Sequence, residues 1–314
     1  MFEGFANVWA IVGLVRDFRA GQLYPLTLAG EKVVLFRDDA GRMAALIDRC
    51  PHRGVALSLG KLADGRLECP FHGWQFDGQG RNCFVPWNPD AKHDTLGATA
   101  LPVREAGGLV WLHTGPDPVD EPVPSETLLR DDVVLCSQSA RWRVHWTRAM
   151  ENMLDSPHLP FVHKGSIGRG LRGMVHKRMD LTWTPQPYGA TIANRVEGKD
   201  RDSRLDYRFP NAMELFIDPP GRVFRMIAIC HPEDAQHTRL TIITIRNFAR
   251  SRLFDPLFRW SNRRIALEDQ HILESSSPLE VPPAGQEKSV RTDAPTLAFR
   301  KIWFDRLSGS KAAM

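Results

Sequence analysis

The chain has 314 residues, of which 42% are hydrophobic and 25% charged, with a formal net charge of +4. Such a composition describes a soluble globular protein of about two domains, each long enough to bury a core. The near-balanced charge gives no footing for a nucleic-acid binder.

In chain order, the first apolar run is "GFANVWAIVGLV" (4–15). It is too short to span a membrane and lacks the basic flank of a signal peptide, so it reads as core-facing structure. "KVVLFRD" is a β-branched run, "DDAGR" a turn and "MAALID" another strand. "DGQGRN" (77–82) is a further turn and "GGLVWLHTG" (107–115) a further strand. Short strands with frequent glycine turns predict an all-β domain over 1–117. "GPDPVDEPVPSE" (115–126), rich in proline and acid, is an extended connector. It places a linker at 118–130 and a second domain at 131–314.

In that second domain, "WRVHWTRAMENMLDS" carries Trp142, Trp146, Ala149, Met150 and Met153 at helical spacing. "ATIANRV", "RVFRMIAIC" and "RLTIITIRNF" read as strands of an antiparallel sheet, and "FDPLFRWSNRRIALEDQHILESSS" returns to a helical period. The predicted fold class is α+β, an all-β N-terminal domain followed by an antiparallel sheet with helices. Met213, Leu215, Phe216, Phe224 and Met226 suit either the wall of an apolar cavity or ordinary core packing.

Five cysteines, at 50, 69, 83, 136 and 230, are too few and too scattered for a secreted disulfide scaffold, and a reducing cytoplasm fits better. Cys83, Cys136 and Cys230 have no paired spacing and are expected to be buried apolar residues. Cys50 and Cys69 differ, because each has a histidine close behind it, in "CPHRG" and "CPFHGW". Two thiolates and two imidazoles can hold either a tetrahedral zinc or an asymmetrically ligated [2Fe–2S] cluster. Zinc fingers usually segregate their cysteines from their histidines. Here each loop supplies one of each, so Cys50 and Cys69 could hold one iron while His52 and His72 hold the other. Pro51, Gly54, Pro70 and Gly73 suit tight loops whose N–H groups face the sulfurs.

A second constellation lies in "ENMLDSPHLPFVH" (151–163), which contains Asn152, Asp155, His158 and His163. On an ideal helix His158 and His163 would point about 140° apart, so their convergence requires a distortion, for which Pro157 and Pro160 are placed. Asp155 lies one turn before His158, within reach. Two histidines and a carboxylate with open positions are what ferrous oxygen chemistry needs.

At these residues the sequence resembles the Rieske non-haem iron oxygenases. "CPHRG…CPFHGW" is similar to the Rieske cluster loops, and 152–163 to the family pattern N-x-x-D-x-x-H-x-x-x-x-H. Val55, Phe71 and Trp74 stand where respiratory Rieske proteins carry extra cysteines and a serine, which implies a lower potential. "ALEDQHILESSSP" resembles the helix that supplies the third iron ligand, pointing to Asp269 over its rivals Glu268 and Glu274. "SVRTDAPTLAFRKIW" is similar to the tail of the pheophorbide-oxygenase and demethylase branch, where Asp293 could simply cap a turn.

The resemblance implies a helix-grip catalytic domain, a [2Fe–2S] cluster on Cys50, His52, Cys69 and His72, and mononuclear Fe(II) on His158, His163 and Asp269. It implies reductive activation of O₂ to hydroxylate or demethylate a small apolar or aromatic molecule, with Asn152 and Asp155 in the catalytic machinery. It also implies a head-to-tail homotrimer, in which Asp155 bridges His158 to His72 of a neighbouring subunit.

"GRGLRG" (168–173) matches a dinucleotide-loop pattern but does not follow a strand, and no other nicotinamide or flavin fingerprint is present. Electrons from NAD(P)H would therefore arrive through a separate reductase, with or without a ferredoxin. Basic clusters at 169–178 (Arg169, Arg172, Lys177, Arg178) and 246–264 are either solvated faces or docking sites for an acidic donor. The competing functional class is an electron-transfer or redox-sensing protein whose second domain only binds a ligand.

Overall fold

The structure, a computed structural model, describes residues 1–283 and 285–308. The chain divides into two compact units, Met1–Ser125 and the residues from Glu126 onward. The predicted C-terminal limit at 314 lies outside the described residues.

The first unit is built from three antiparallel sheets. β1 (Trp9–Leu14) pairs with β11 (Leu109–His113), which pairs with β10 (Val103–Ala106). β2 (Tyr24–Leu28), β3 (Glu31–Arg37), β4 (Met43–Ile47) and β9 (Ala100–Leu101) form the second sheet in that order. The third sheet carries β5 (Lys61–Ala63), β6 (Arg66–Glu68), β7 (Gln75–Phe76) and β8 (Asn82–Phe84). Val34, Phe36, Leu46, Leu57, Leu67 and Phe76 close one core against Cys50 and Cys69.

The acidic connector is fastened at both ends. Trp9 Nε1 donates to the Asp120 carbonyl at 3.0 Å and Arg104 pairs with Glu121, while Thr127 donates to Glu214 at 2.8 Å within the second unit.

The second unit holds one seven-stranded antiparallel sheet. Its strands are β12 (Val134–Trp142), β13 (Met179–Gln186), β14 (Gly189–Val196), β15 (Ser203–Arg208), β16 (Ala212–Phe216), β17 (Phe224–Pro232) and β18 (Thr238–Arg246). Their spatial order is β12-β18-β17-β16-β15-β14-β13, so only β12 is out of sequence. Helix α1 (Trp146–Leu154) packs on β16 to β18, α3 (Asp255–Leu273) along β12, and α4 (Ala294–Ile302) beside β13, while α2 (Leu159–Val162) is a single turn. This is the predicted α+β arrangement. Among the described residues no helix is long and apolar enough to cross a membrane.

Four local expectations are corrected. Trp142 is the last residue of β12, opposite Thr238, and helix α1 begins only after the side chain of His145 caps it. The apolar spacing ran through this junction because both the strand end and the helix face the same core. Cys136 and Cys230 are buried, but Cys83 is half-buried, its thiol donating to the Arg81 carbonyl at 3.4 Å. Arg246, counted in the second basic cluster, is fully buried. It pairs with Asp255 at 2.5 Å and lies over the Phe258 ring. Finally, the helix break falls at Asp155–Pro157, before both histidines. Pro160 sits in the first turn of α2, where its missing N–H costs nothing.

Candidate functional site

The two Cys–His loops are built alike. Cys50 N donates to Val55 O at 2.8 Å and Gly54 N to Cys50 O at 2.9 Å; in the second loop Cys69 N donates to Trp74 O at 2.8 Å and Gly73 N to Cys69 O at 3.0 Å. Such turns need a left-handed residue before their closing position, which Gly54 (φ 72°) and Gly73 (φ 70°) supply without a Cβ penalty. Cys50 and Cys69 are each only 3% exposed, whereas His72 is exposed and His52 partly so. The histidine rings meet edge to face at 4.7 Å, and Trp74 stacks on His52 with centroids 4.5 Å apart and planes 4° from parallel.

Electrostatics here favours a metal. Burial pushes the Cys50 thiol up to about 11, with the Cys69 sulfur adding to the rise and the N–H groups of His52 and Arg53 opposing it. Two adjacent buried sulfurs ionise together only when a cation compensates them, which iron does. Burial, with His72 and Arg53 beside it, lowers the pKa of His52, the direction that favours a neutral ring able to ligate. The four residues thus fit a cluster with two sulfur and two imidazole donors.

The second constellation is assembled from a helix end, a single turn and a distant helix. Asp155 leaves α1 in extended conformation (φ −89°, ψ 121°), and the chain re-enters helix at His158. His158 and His163 bracket α2 with ring centroids 5.2 Å apart, and α3 brings Asp269 to them across more than 100 residues of sequence. Asp269 Oδ1 lies 3.0 Å from His163 Nε2 and 3.6 Å from His158 Nε2, and one donor atom from each residue falls within a 4.8 Å group. Yet Asp269 Oδ1 is buried with no hydrogen-bond partner among the described residues. A carboxylate oxygen aimed at the same point as two ring nitrogens, but bonded to neither, fits a shared metal ion.

Glu268 is not in that group. Its Oε2 meets the other nitrogen of His163, Nδ1, at 2.8 Å and accepts from Ser166 Oγ at 2.8 Å. Burial would lower the His163 pKa, but the carboxylates of Asp269 and Glu268 outweigh it and raise it. For Glu268, the bonds from His163 and Ser166 overcome the opposing effect of burial and hold the carboxyl below its ordinary range. Glu274, the other rival, accepts instead from Arg143 N at 2.8 Å and from Gln270. Asp155 Oδ2 lies 3.3 Å from His158 Nδ1 but forms no hydrogen bond with it, and among the described residues neither His158 Nδ1 nor the buried Nδ2 of Asn152 has a hydrogen-bond partner. Asp293, as a turn cap, accepts from Val290 N at 2.7 Å.

Asn152, Asp155, His158, His163 and Asp269 face a cavity of about 260 Å³ lined by α1, the sheet and α3, with Ile265 in its wall one turn from Asp269. Of the five apolar residues that suited either a cavity wall or core packing, Met213, Leu215 and Met226 line it. Phe216 and Phe224 do not. Phe216 projects from the opposite face beneath Arg204 and Arg225, and Phe224 packs against Phe248 and Phe258. Sequence reasoning also missed the stack of Trp74 on His52, the bond from Ser166 to Glu268 and the place of Asn194 in the cavity wall. For Asn194 a signal existed, because it stands in phase with Ala190, Ile192 and Val196, the inward-facing positions of β14.

Comparison with known proteins matches both parts of the chain. The model of the Rieske [2Fe-2S] domain matches residues 8–94, and that of the vanillate O-demethylase oxygenase C-terminal domain matches 142–305, more than half of the chain. Methylxanthine N3-demethylase NdmB of Pseudomonas putida is 27% identical over 311 residues, covering 90% of this chain and 82% of that protein. Chlorophyllide a oxygenase of Chlamydomonas reinhardtii is 28% identical over 261 residues, 76% of this chain but 38% of that protein. The chain spans about a third to a half of several such curated relatives. The structure of dicamba monooxygenase bound to dicamba superposes with a TM-score of 0.82 at 21% identity, covering 99% of each chain, and so shares the fold. With a [2Fe–2S] domain ahead of a mononuclear-iron domain of the vanillate O-demethylase type, the chain belongs to the Rieske oxygenases.

Proposed function

We propose that this chain is the terminal oxygenase component of a Rieske system, acting as a monooxygenase that hydroxylates or oxidatively demethylates a small apolar or aromatic molecule. The observation that carries the reading is the convergence of His158, His163 and Asp269 on one point at the wall of an apolar cavity. Relatives named as demethylases and a monooxygenase support insertion of one oxygen atom.

In this reading Cys50, His52, Cys69 and His72 hold the cluster and His158, His163 and Asp269 hold ferrous iron, which when bound supplies reductive activation of O₂. The protein's part is orientation and exclusion of water. Glu268 fixes the His163 ring through Nδ1, whereas Asp155 stands beside His158 Nδ1 without a formed hydrogen bond to it. The apolar lining holds substrate beside the two histidines and keeps bulk water out.

Electrons reach the cluster from NAD(P)H through a separate reductase, directly or by way of a ferredoxin. This is supported by the geometry of "GRGLRG", which forms a 3-10 turn (Arg169–Met174) instead of a strand-to-helix loop. A head-to-tail homotrimer would let His72 of one chain meet Asp155 of the next. It is supported by the exposure of His72 beside Phe71 (59% exposed) and Trp87 (98% exposed), an apolar rim suited to docking. Five free cysteines suit a reducing cytoplasm.

Metal analysis with turnover tests the reading. About three irons per chain, with substrate-dependent NADH oxidation in the presence of a matched reductase, is expected. About two irons per chain and no turnover would make the protein an electron carrier, and zinc without visible absorbance would overturn the cluster as well.

A further inference from the structure

The floor of the cavity is laid by residues of β14 to β18; it is apolar on β16, β17 and β18, while Ser203 and Arg204 of β15, with Lys199 and Arg201 just before them, make one edge polar and basic. Ile192 and Val196 of β14, Leu205 of β15, Met213 of β16, Met226 of β17 and Leu240 of β18 all face it. Asn194 lies between Ile192 and Val196, where the strand period demands an inward residue. It is 7% exposed, lines the cavity, and its Oδ1 is buried with no hydrogen-bond partner among the described residues. A buried amide oxygen left unpaired is a net cost to folding, and a leucine would fill the same position without it. A group held at that cost at the wall of a binding cavity is explained by a partner that arrives with the ligand.

We propose that Asn194 is a substrate-positioning residue, and that the substrate presents a hydrogen-bond donor, a phenolic O–H or a ring N–H, to its amide oxygen. The inference rests on the oxygenase reading for the identity of the cavity. It adds that the substrate is not purely apolar. One edge of the molecule carries a donor that meets β14, and the reacting group is thereby turned toward His158 and His163. Discrimination would follow from the same cost. A substrate whose donor is capped by methyl would leave Oδ1 unpaired and push a methyl group against it.

Two measurements on the iron-loaded protein test this without relying on turnover. First, Asn194→Leu removes the orphan oxygen, and the thermal midpoint of the ligand-free protein is expected to rise by about 2–4 °C. A fall would show that Asn194 has a structural role and would overturn the proposal.

Second, binding is measured by calorimetry for two matched probe pairs, vanillate against veratrate and theobromine against caffeine. In each pair the first member has an O–H or N–H where the second has a methyl. The wild type is expected to prefer the donor-bearing member of at least one pair by tenfold or more. Asn194→Leu should lose that preference, and Asn194→Asp, which keeps the acceptor oxygen, should retain it. A ratio below about twofold in both pairs, or a preference unchanged in Asn194→Leu, overturns the proposal. Iron content and NADH oxidation, read on the same preparation, report separately on the oxygenase reading.

Discussion

Glu268 and Asp269, adjacent on α3, face opposite nitrogens of one imidazole: Glu268 Oε2 is bonded to His163 Nδ1 at 2.8 Å, and Asp269 Oδ1 stands unbonded 3.0 Å from His163 Nε2. Neighbouring helical residues point about 100° apart, so one carboxylate can hold one edge of the ring while the next faces the other edge. The pairing fixes which nitrogen is free to face a metal, since Nδ1 is already committed to Glu268.

Glu268→Gln should therefore weaken ferrous iron without unseating the cluster. Loss of such a partner costs roughly 10- to 100-fold in metal affinity or activity. Competition with a ferrous chelator would measure it, while the visible spectrum of the cluster stays as in the wild type.

Asp269→Ala should remove the third donor outright. Iron per chain is expected to fall from about three to about two, with turnover lost and the cluster spectrum kept. Full activity in this variant would show that the third ligand lies elsewhere.

Arg148, Glu151, Glu287 and Arg300 form an ion cluster in which Glu287 alone is partly open to solvent, its side chain 32% exposed. Arg148 Nη1 lies 3.1 Å from Glu151, Arg300 Nη2 2.5 Å from Glu287, and Arg300 Nε also meets Glu151. Arg148, Glu151 and Arg300 are each 8% exposed. Arg300→Ala leaves two carboxylates to one guanidinium and should cost about 3–5 kcal/mol of stability in chemical denaturation. Because the cluster ties α1 to α4, the second unit should lose stability while the Rieske spectrum changes little.

The same cluster predicts an acid limit. Hydrogen bonds from Arg148 and Arg300, partly opposed by burial, hold the Glu287 carboxyl down at about 2, below its ordinary 4.5. A folded-state pKa below the unfolded one means the stabilisation is complete above pH 4.5 and is lost as pH falls from there toward 2. In a thermal-melt series, the gap between wild type and Glu287→Gln should be widest near neutrality and narrow through that window.

How much of this was legible depended on whether a site is local in sequence. Each Cys–His loop is a closed turn of six residues, so its residues announce the geometry directly. His158 and His163 were visible as a pair, but the place of the helix break was not. Proline is compatible with either a helix start or a helix interruption, and only the packing of α2 decides which. Helical period cannot rank Glu268, Asp269 and Glu274, because what separates them is the residue each meets across the fold. Resemblance to a family pattern pointed to Asp269, and the structure shows the other two carboxylates engaged elsewhere. Phe216 was misplaced for a simpler reason: one step along a strand exchanges cavity for opposite face.

Helix α3 carries Ile265 in the cavity wall, Asp269 at the histidines, and Gln270 and Glu274 tied to the backbone of Arg141 and Arg143 where β12 gives way to the next loop. Wall, donor and anchor thus ride on one stiff rod. A guest that pressed Ile265 outward would carry the Asp269 carboxylate with it, so occupancy of the cavity would be felt at the histidine pair along the helix itself. Ligand size would set the spacing of the donor atoms, and the anchor at the far end of the rod would set how far that spacing can stretch.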